Sequence, residues 1–147
     1  MARVKIIFPD KPPLFQCRIP VRITDINYGN HLGNDALLSL IHEARMQLLA
    51  GWGFTELDAG GNSLIMGDVM IAYKKESYYG DVLTISLWAE EITDKNFDLL
   101  YKVEIISAET AYDIAYAKTG MVCFDYTIRK IASMKTSLKG KLKGAEN

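Results

Sequence analysis

Charge of one sign, cysteine and long apolar runs are all scarce in this chain of 147 residues. Seventeen Lys and Arg face eighteen Asp and Glu, a formal charge of -1, so no electrostatic surplus draws the chain to nucleic acid or anionic lipid. The only cysteines, Cys17 and Cys123, lie in strand-like runs and form no CxxC pair. That excludes a disulfide framework and a metal knuckle; no metal is expected, and a reducing, cytoplasmic setting fits best. The most apolar stretch, residues 36–50, is interrupted by Ser39, His42, Glu43, Arg45 and Gln47, well short of the ~20 apolar residues of a membrane span. Near the start, Pro9, Pro12 and Pro13 stop a short apolar run with no small-residue cleavage site after it, unlike a signal peptide.

What is present is a globular composition, 49% hydrophobic and 24% charged, far from the regime of disorder. The length suits one domain, 1–147, with its core over about residues 16–134. A proline-containing arm precedes that core. The lysine-rich tail after Ser133 reads as a frayed, solvated end.

Residues 16–24 alternate Cys17, Ile19, Val21 and Ile23 with polar or proline positions, which predicts a strand; Pro20 puts it at a sheet edge or bulge. Residues 25–35, DINYGNHLGND, carry the Asp, Asn and Gly of a structured loop. The next segment, residues 34–51, predicts a helix with Asn34 as its cap. Its leucines and isoleucine cover most of the circumference, so the helix is expected to be buried on nearly all sides. From Leu64 to Tyr126 one long alternating segment follows another, with the turn Thr93-Asp94-Lys95-Asn96 joining two of them. One apolar helix and about five antiparallel strands make an α+β fold in which a curled sheet wraps the helix.

Polar residues concentrate at the mouth of that helix: Asp25, Asn27, Asn30, His31, Asn34 and Asp35, then Ser39, His42 and Glu43. Free N–H groups at a helix start can hold an oxyanion, and a carboxylate and an imidazole beside them can move protons. Asp35, Ser39 and Glu43 fall on one helical face. His42 reads as a structural histidine. Tyr73, Tyr78 and Tyr79 read as packing or channel-lining groups.

The order of these residues, VRITDINYGNHLGNDALLSLIHEARMQLL, resembles the signature of the hot-dog-fold acyl-CoA thioesterases, the 4-hydroxybenzoyl-CoA thioesterase-like group: D-x-D-x-x-G-H-x-N-N, then an apolar helix with E-A-R. VMIAYKKESYYGDVLTI and KTGMVCFDYTIRKIASM are similar to its later strands. The resemblance implies the hot-dog fold and hydrolysis of an acyl thioester, with coenzyme A as part of the substrate and no separate cofactor. Asp25 falls on the first D, His31 on the histidine, Asn34 on the second asparagine and Glu43-Ala44-Arg45 on E-A-R. The family's usual catalytic carboxylate, the second D, is Asn27 here, and Gly29-Asn30 inverts the usual residue-then-glycine order. An amide neither attacks a carbonyl nor accepts a proton at neutral pH.

Three readings follow. Asp25 supplies the carboxylate; Glu43 supplies it from the helix; or the chain binds acyl thioesters without hydrolysing them. A hydratase using His31 and Glu43 is a further alternative. His31 would orient the carbonyl or protonate the thiolate, the Asn34 N–H would meet the oxyanion, and Lys74, Lys75, Arg129 and Lys130 would meet coenzyme A phosphates. The resemblance also implies a homodimer or homotetramer with sites at the subunit interface.

Overall fold

The computed structural model describes residues 1–144. Its elements are β1 (Phe15–Pro20), a 3-10 turn (Ile23–Asp25), α1 (Asn34–Gly51), β2 (Ser63–Tyr73), β3 (Val82–Glu90), β4 (Asn96–Ile106), β5 (Ala111–Asp125), the short β6 (Lys130–Ile131) and α2 (Thr136–Leu142). All pairings are antiparallel, in the order β1-β3-β4-β5-β2 with β6 beside β5. Alternate residues of the strands face α1: Leu83, Ile85 and Leu87 from β3, Leu99, Tyr101 and Val103 from β4, Ala115, Ala117 and Met121 from β5. They join Leu37, Leu40, Ile41, Ala44 and Leu48 of α1 in one apolar cluster. The sheet therefore curls around one helix, as the patterning predicts.

Three local expectations are corrected, and the N-terminal arm, for which the sequence set no position, is placed. β1 ends at Pro20 rather than running to Thr24, because the imide offers no N–H to the ladder; Val21 bonds the Asp81 carbonyl at 2.8 Å and the chain then turns. Helix α1 is buried on one side only, with Asp35, Ser39, His42, Glu43 and Gln47 exposed on the other, because the sheet covers a single face. Leu38, on that open side, is 37% exposed. The tail is not frayed over its described part: Leu138 and Leu142 of α2 are buried, and the Met134 N–H bonds the Asp94 carbonyl at 2.6 Å. Finally, the N-terminal arm lies against the outer face of the sheet. There the Phe8 ring sits 5.0 Å from those of Trp88 and Tyr116, and the Trp88 indole N–H donates to the Lys11 carbonyl at 2.9 Å. Among the described residues no helix is long and apolar enough to cross a membrane.

One charged group sits inside this core. Arg45 is buried; its Nε donates to Glu56 Oε2 at 3.2 Å and its Nη1 to the Tyr101 hydroxyl at 3.1 Å, which is paired with Thr119 at 2.7 Å. His42 reaches the other Glu56 oxygen at 2.5 Å, the structural role expected for it. The chain thus ties α1 to the loop after it and to two strands. Removing the Glu56 charge leaves Arg45 buried without its counter-ion, which is costly even where the pair itself adds little stability. Glu56→Gln is expected to lower unfolding free energy by about 2 kcal/mol, less than the ~3–5 of a fully dry pair because Glu56 keeps some water contact. Urea unfolding measures it, and a change under about 0.5 kcal/mol would contradict the counter-ion role.

Candidate active site

The loop before α1 is a tight hairpin. Ile26 and Leu32 bridge across it, the Asn27 N–H donates to the His31 carbonyl at 3.0 Å and the Asn30 N–H to the Asn27 carbonyl at 3.1 Å. Asn30 takes φ 66°, the left-handed region in which Asn is tolerated better than other side chains, so the inverted Gly29-Asn30 order costs the turn little. Asn27 itself closes an Asx turn, its Oδ1 accepting the Gly29 N–H at 2.9 Å. Gly29 is needed for space: a Cβ there would stand 3.2 Å from both Asn27 Oδ1 and His31 Nε2.

The helix cap is Gly33, not the expected Asn34, which is the first helical residue. A side chain at 33 would meet Asp35 Oδ1 at 2.8 Å. A glycine cap has no oxygen to offer, and no side chain caps this end. The first intrahelical bond runs from the Leu37 N–H to the Gly33 carbonyl, which leaves the N–H groups of Asn34, Asp35 and Ala36 outside the helical ladder. They carry the positive end of the helix dipole.

The opposite wall comes from the connection between β2 and β3. Asp81 Oδ2 accepts the Ser77 hydroxyl at 2.9 Å and the Tyr78 N–H at 2.8 Å, and Gly80 turns the chain at φ 89°. The Leu32 N–H then donates to the Ser77 carbonyl at 2.7 Å, which draws the two walls together. Between them lies a cleft of about 210 Å³ lined by His31, Gly33, Asn34, Tyr73, Lys74, Lys75 and Glu76, with Leu37 and Ile114 at its floor. The His31 Nδ1 lies 3.2 Å from the Leu32 carbonyl, and its Nε2 3.7 Å from Glu76 Oε1. Burial, then the Asp35 charge, raise the pKa of Tyr73, so its phenol stays neutral.

The family described as the thioesterase-like superfamily matches residues 21–142. The chain belongs to that superfamily. A 1,4-dihydroxy-2-naphthoyl-CoA hydrolase of Rippkaea orientalis is 26% identical over 130 residues, covering 86% of this chain and 94% of that protein. In three dimensions the chain resembles Slr0204, a 1,4-dihydroxy-2-naphthoyl-CoA thioesterase from Synechocystis, with TM-score 0.78, 21% identity and coverage of 88% and 95%. YbaW from Escherichia coli gives TM-score 0.73 at 22% identity, covering 90% and 98%. These two likenesses establish the hot-dog fold, and the superfamily makes the chain a thioesterase.

Within this thioesterase the expected site residues separate. His31, Asn34, Lys74 and Lys75 line the cleft. Lys74 and Lys75 hold their ammonium groups 4.9 and 4.3 Å from the Tyr116 and Tyr112 ring centres. Asp25 does not line it: its Oδ2 accepts the Arg22 N–H at 2.8 Å and Nε at 3.2 Å, and its Oδ1 accepts Arg22 Nη2 at 3.2 Å. Burial by itself would raise the Asp25 pKa, but the hydrogen bonds and charge of Arg22 outweigh it and leave the carboxyl below its ordinary value. That makes it a weaker base. Glu43 lies in a different groove, with Arg18, Arg22 and Met46, and pairs with Gln47 at 3.3 Å. Arg129 and Lys130 stand at the far end of β5, about 35 Å along the strand from Ile114, so within one chain they do not join Lys74 and Lys75. The thiol of Cys17 is raised to about 11 by burial and the Glu43 charge, which removes it as a nucleophile.

Glu76 is the cleft residue that sequence reasoning missed. It lies in the stretch just past β2, where a single glutamate beside a turn carries no spacing signal that marks it as chemistry.

Asp25 is thus held in the turn by Arg22, and its depressed pKa sets a pH signature. The stability it contributes is present above the unfolded carboxylate value of ~3.9 and is lost as pH falls through the folded value. Asp25→Asn is expected to cost about 1 kcal/mol, as for loss of a cap, and to flatten the acid limb of stability against pH. Hydrolysis at neutral pH should stay within about threefold of the parent. A loss of orders of magnitude with the fold intact would return Asp25 to the chemistry.

Proposed function

We propose that this thioesterase hydrolyses acyl-coenzyme A thioesters in the cleft at the start of α1. The observation that carries the reading is the uncapped helix end: the N–H groups of Asn34, Asp35 and Ala36 meet no capping side chain and adjoin a cleft whose opposite wall holds two lysines. A thioester oxygen placed against those N–H groups gains most when it becomes an oxyanion. His31 faces the same space, and with its Nδ1–H directed to the Leu32 carbonyl its Nε2 is free to accept a hydrogen bond from water and orient it. Lys74 and Lys75 are suited to the phosphates of coenzyme A. The names of the relatives make 1,4-dihydroxy-2-naphthoyl-CoA one substrate to test among others.

The assembly we propose is a homodimer, or a pair of such dimers, joined along β2. The two sheet edges differ: β1 is short and ends in Pro20, whereas β2 is long, pairs on one side only with β5, and exposes Met66, Val69 and Tyr73. A long apolar edge is the kind that pairs with a second copy.

Thiol release across a panel of benzoyl-, 1,4-dihydroxy-2-naphthoyl- and linear acyl-CoA esters tests the activity. At least one ester should be turned over, and His31→Ala should lower kcat by about 100-fold or more. Inactivity on the whole panel would sink the coenzyme A reading. For the assembly, light scattering should give at least twice the chain mass at micromolar concentration, and Val69→Pro, which removes a ladder donor from the edge, should shift it toward monomer. A parent protein that runs as a monomer would contradict the edge pairing.

A further inference from the structure

We infer that Glu76 is the general base of the hydrolysis, taking the part that a loop carboxylate at position 27 plays elsewhere in the family. The inference rests on the hydrolase reading above. Its observations are independent of the helix end. Glu76 Oε2 accepts the Tyr78 hydroxyl at 3.0 Å, which fixes the carboxylate in its rotation and leaves Oε1 toward His31 Nε2, 3.7 Å away. That gap is too long for a direct hydrogen bond. A water oxygen set off the line at about 2.8 Å from each atom closes a triangle over it, donating one proton to Glu76 and the other to His31. Such a water would sit in the cleft that also adjoins the N–H groups of Asn34 and its neighbours, where the oxygen of a thioester carbonyl can be received. Of the neighbouring carboxylates, Asp25 is held by Arg22, Asp81 by Ser77 and Tyr78, and Glu43 lies in a separate groove; Asp35 stands at the helix start beside Gly33, close enough for its charge to act on Tyr73, but does not line the cleft or pair with His31 as Glu76 does.

In the first step the water oxygen bonds to the thioester carbon, a water proton passes to Glu76 Oε1, and the carbonyl π pair moves onto oxygen. In the second the oxyanion pair re-forms the carbonyl, the carbon–sulfur bond breaks with its electron pair on sulfur, and the proton held by Glu76 goes to the thiolate. The products are a carboxylic acid and a free thiol, and the carboxylate is regenerated. Tyr78 acts as a positioning residue through Glu76. Lacking a carboxylate at 27, the loop keeps an amide that serves the turn alone.

The test uses thiol release by the intact protein with the most active ester of the panel. Glu76 is largely solvent-exposed, so substitution leaves the core untouched, and thermal melts confirm the fold of each variant. Glu76→Gln should lower kcat by about 100-fold or more with KM within about threefold. Glu76→Ala should be as slow and should regain activity with added formate, a small carboxylate able to occupy the vacated position. Tyr78→Phe should lower kcat by a smaller factor at unchanged KM. If the parent is active and Glu76→Gln keeps kcat within about fivefold, Glu76 is not the base and the hydrolase reading stands. A slow Glu76→Ala that formate does not restore overturns the assignment equally. An inactive parent overturns both.

Discussion

One main-chain hydrogen bond sets the geometry on which the site depends. The Leu32 N–H reaches the Ser77 carbonyl at 2.7 Å, joining two segments far apart in sequence: the polar loop that opens α1 and the connection from β2 to β3. The neighbours of these two residues are His31 and Glu76, so pairing the backbones at 32 and 77 brings an imidazole and a carboxylate face to face. A second bond, from the Gly33 N–H to the Asp25 carbonyl at 3.0 Å, anchors the helix start to the turn before it. The geometry of the cleft thus rests on backbone pairings, which tolerate side-chain change better than side-chain networks do.

Both walls are secured on their far sides. Asp81 uses one oxygen to hold Ser77 and Tyr78, while Gly80 and Asp81 exchange hydrogen bonds with Val21 at the end of β1. Arg22 follows Val21 and holds Asp25. A short path of contacts therefore runs from the sheet edge through Arg22 and Asp25 to the helix start. Asp25 lies on this path, with both carboxylate oxygens engaged by Arg22.

The parts legible in the sequence are those that repeat. Alternation over Leu83, Ile85 and Leu87, and over Leu99, Tyr101 and Val103, specified β3 and β4 because a sheet with one face on a core selects a period of two. Helix α1 was legible from composition and spacing. Its degree of burial was not, since a count of leucines around the axis does not say which side the sheet covers. The site was half legible: His31, Asn34, Lys74 and Lys75 reach the cleft, whereas Asp25 and Glu43 do not. Each miss has a local physical cause. Arg22 three residues before Asp25 captures its carboxylate, and Glu43, about two and a half turns into the helix, faces another groove. Arg45, on the signature's E-A-R, finds its partner in Glu56 from a loop that carries no periodic signal.

Asn27 gains a different meaning once the turn is seen in detail. Its side-chain oxygen accepts the Gly29 N–H, a bond that Asn and Asp make equally well, so the turn does not demand an amide. What distinguishes the two is charge. Asn27 Oδ1 and His31 Nε2 lie on either side of the same point above Gly29, each 3.2 Å from where a Cβ would stand. A carboxylate at 27 would therefore place a second negative group beside the imidazole that already faces Glu76. Two carboxylates around one imidazole repel each other and compete for the same ring nitrogen. With the amide at 27, a single carboxylate, Glu76, faces the imidazole. In the mechanism proposed above, the absence of a carboxylate from the loop and its presence at Glu76 are two sides of one arrangement, in which the base stands on the wall opposite the helix while the uncapped helix end keeps its place beside the cleft.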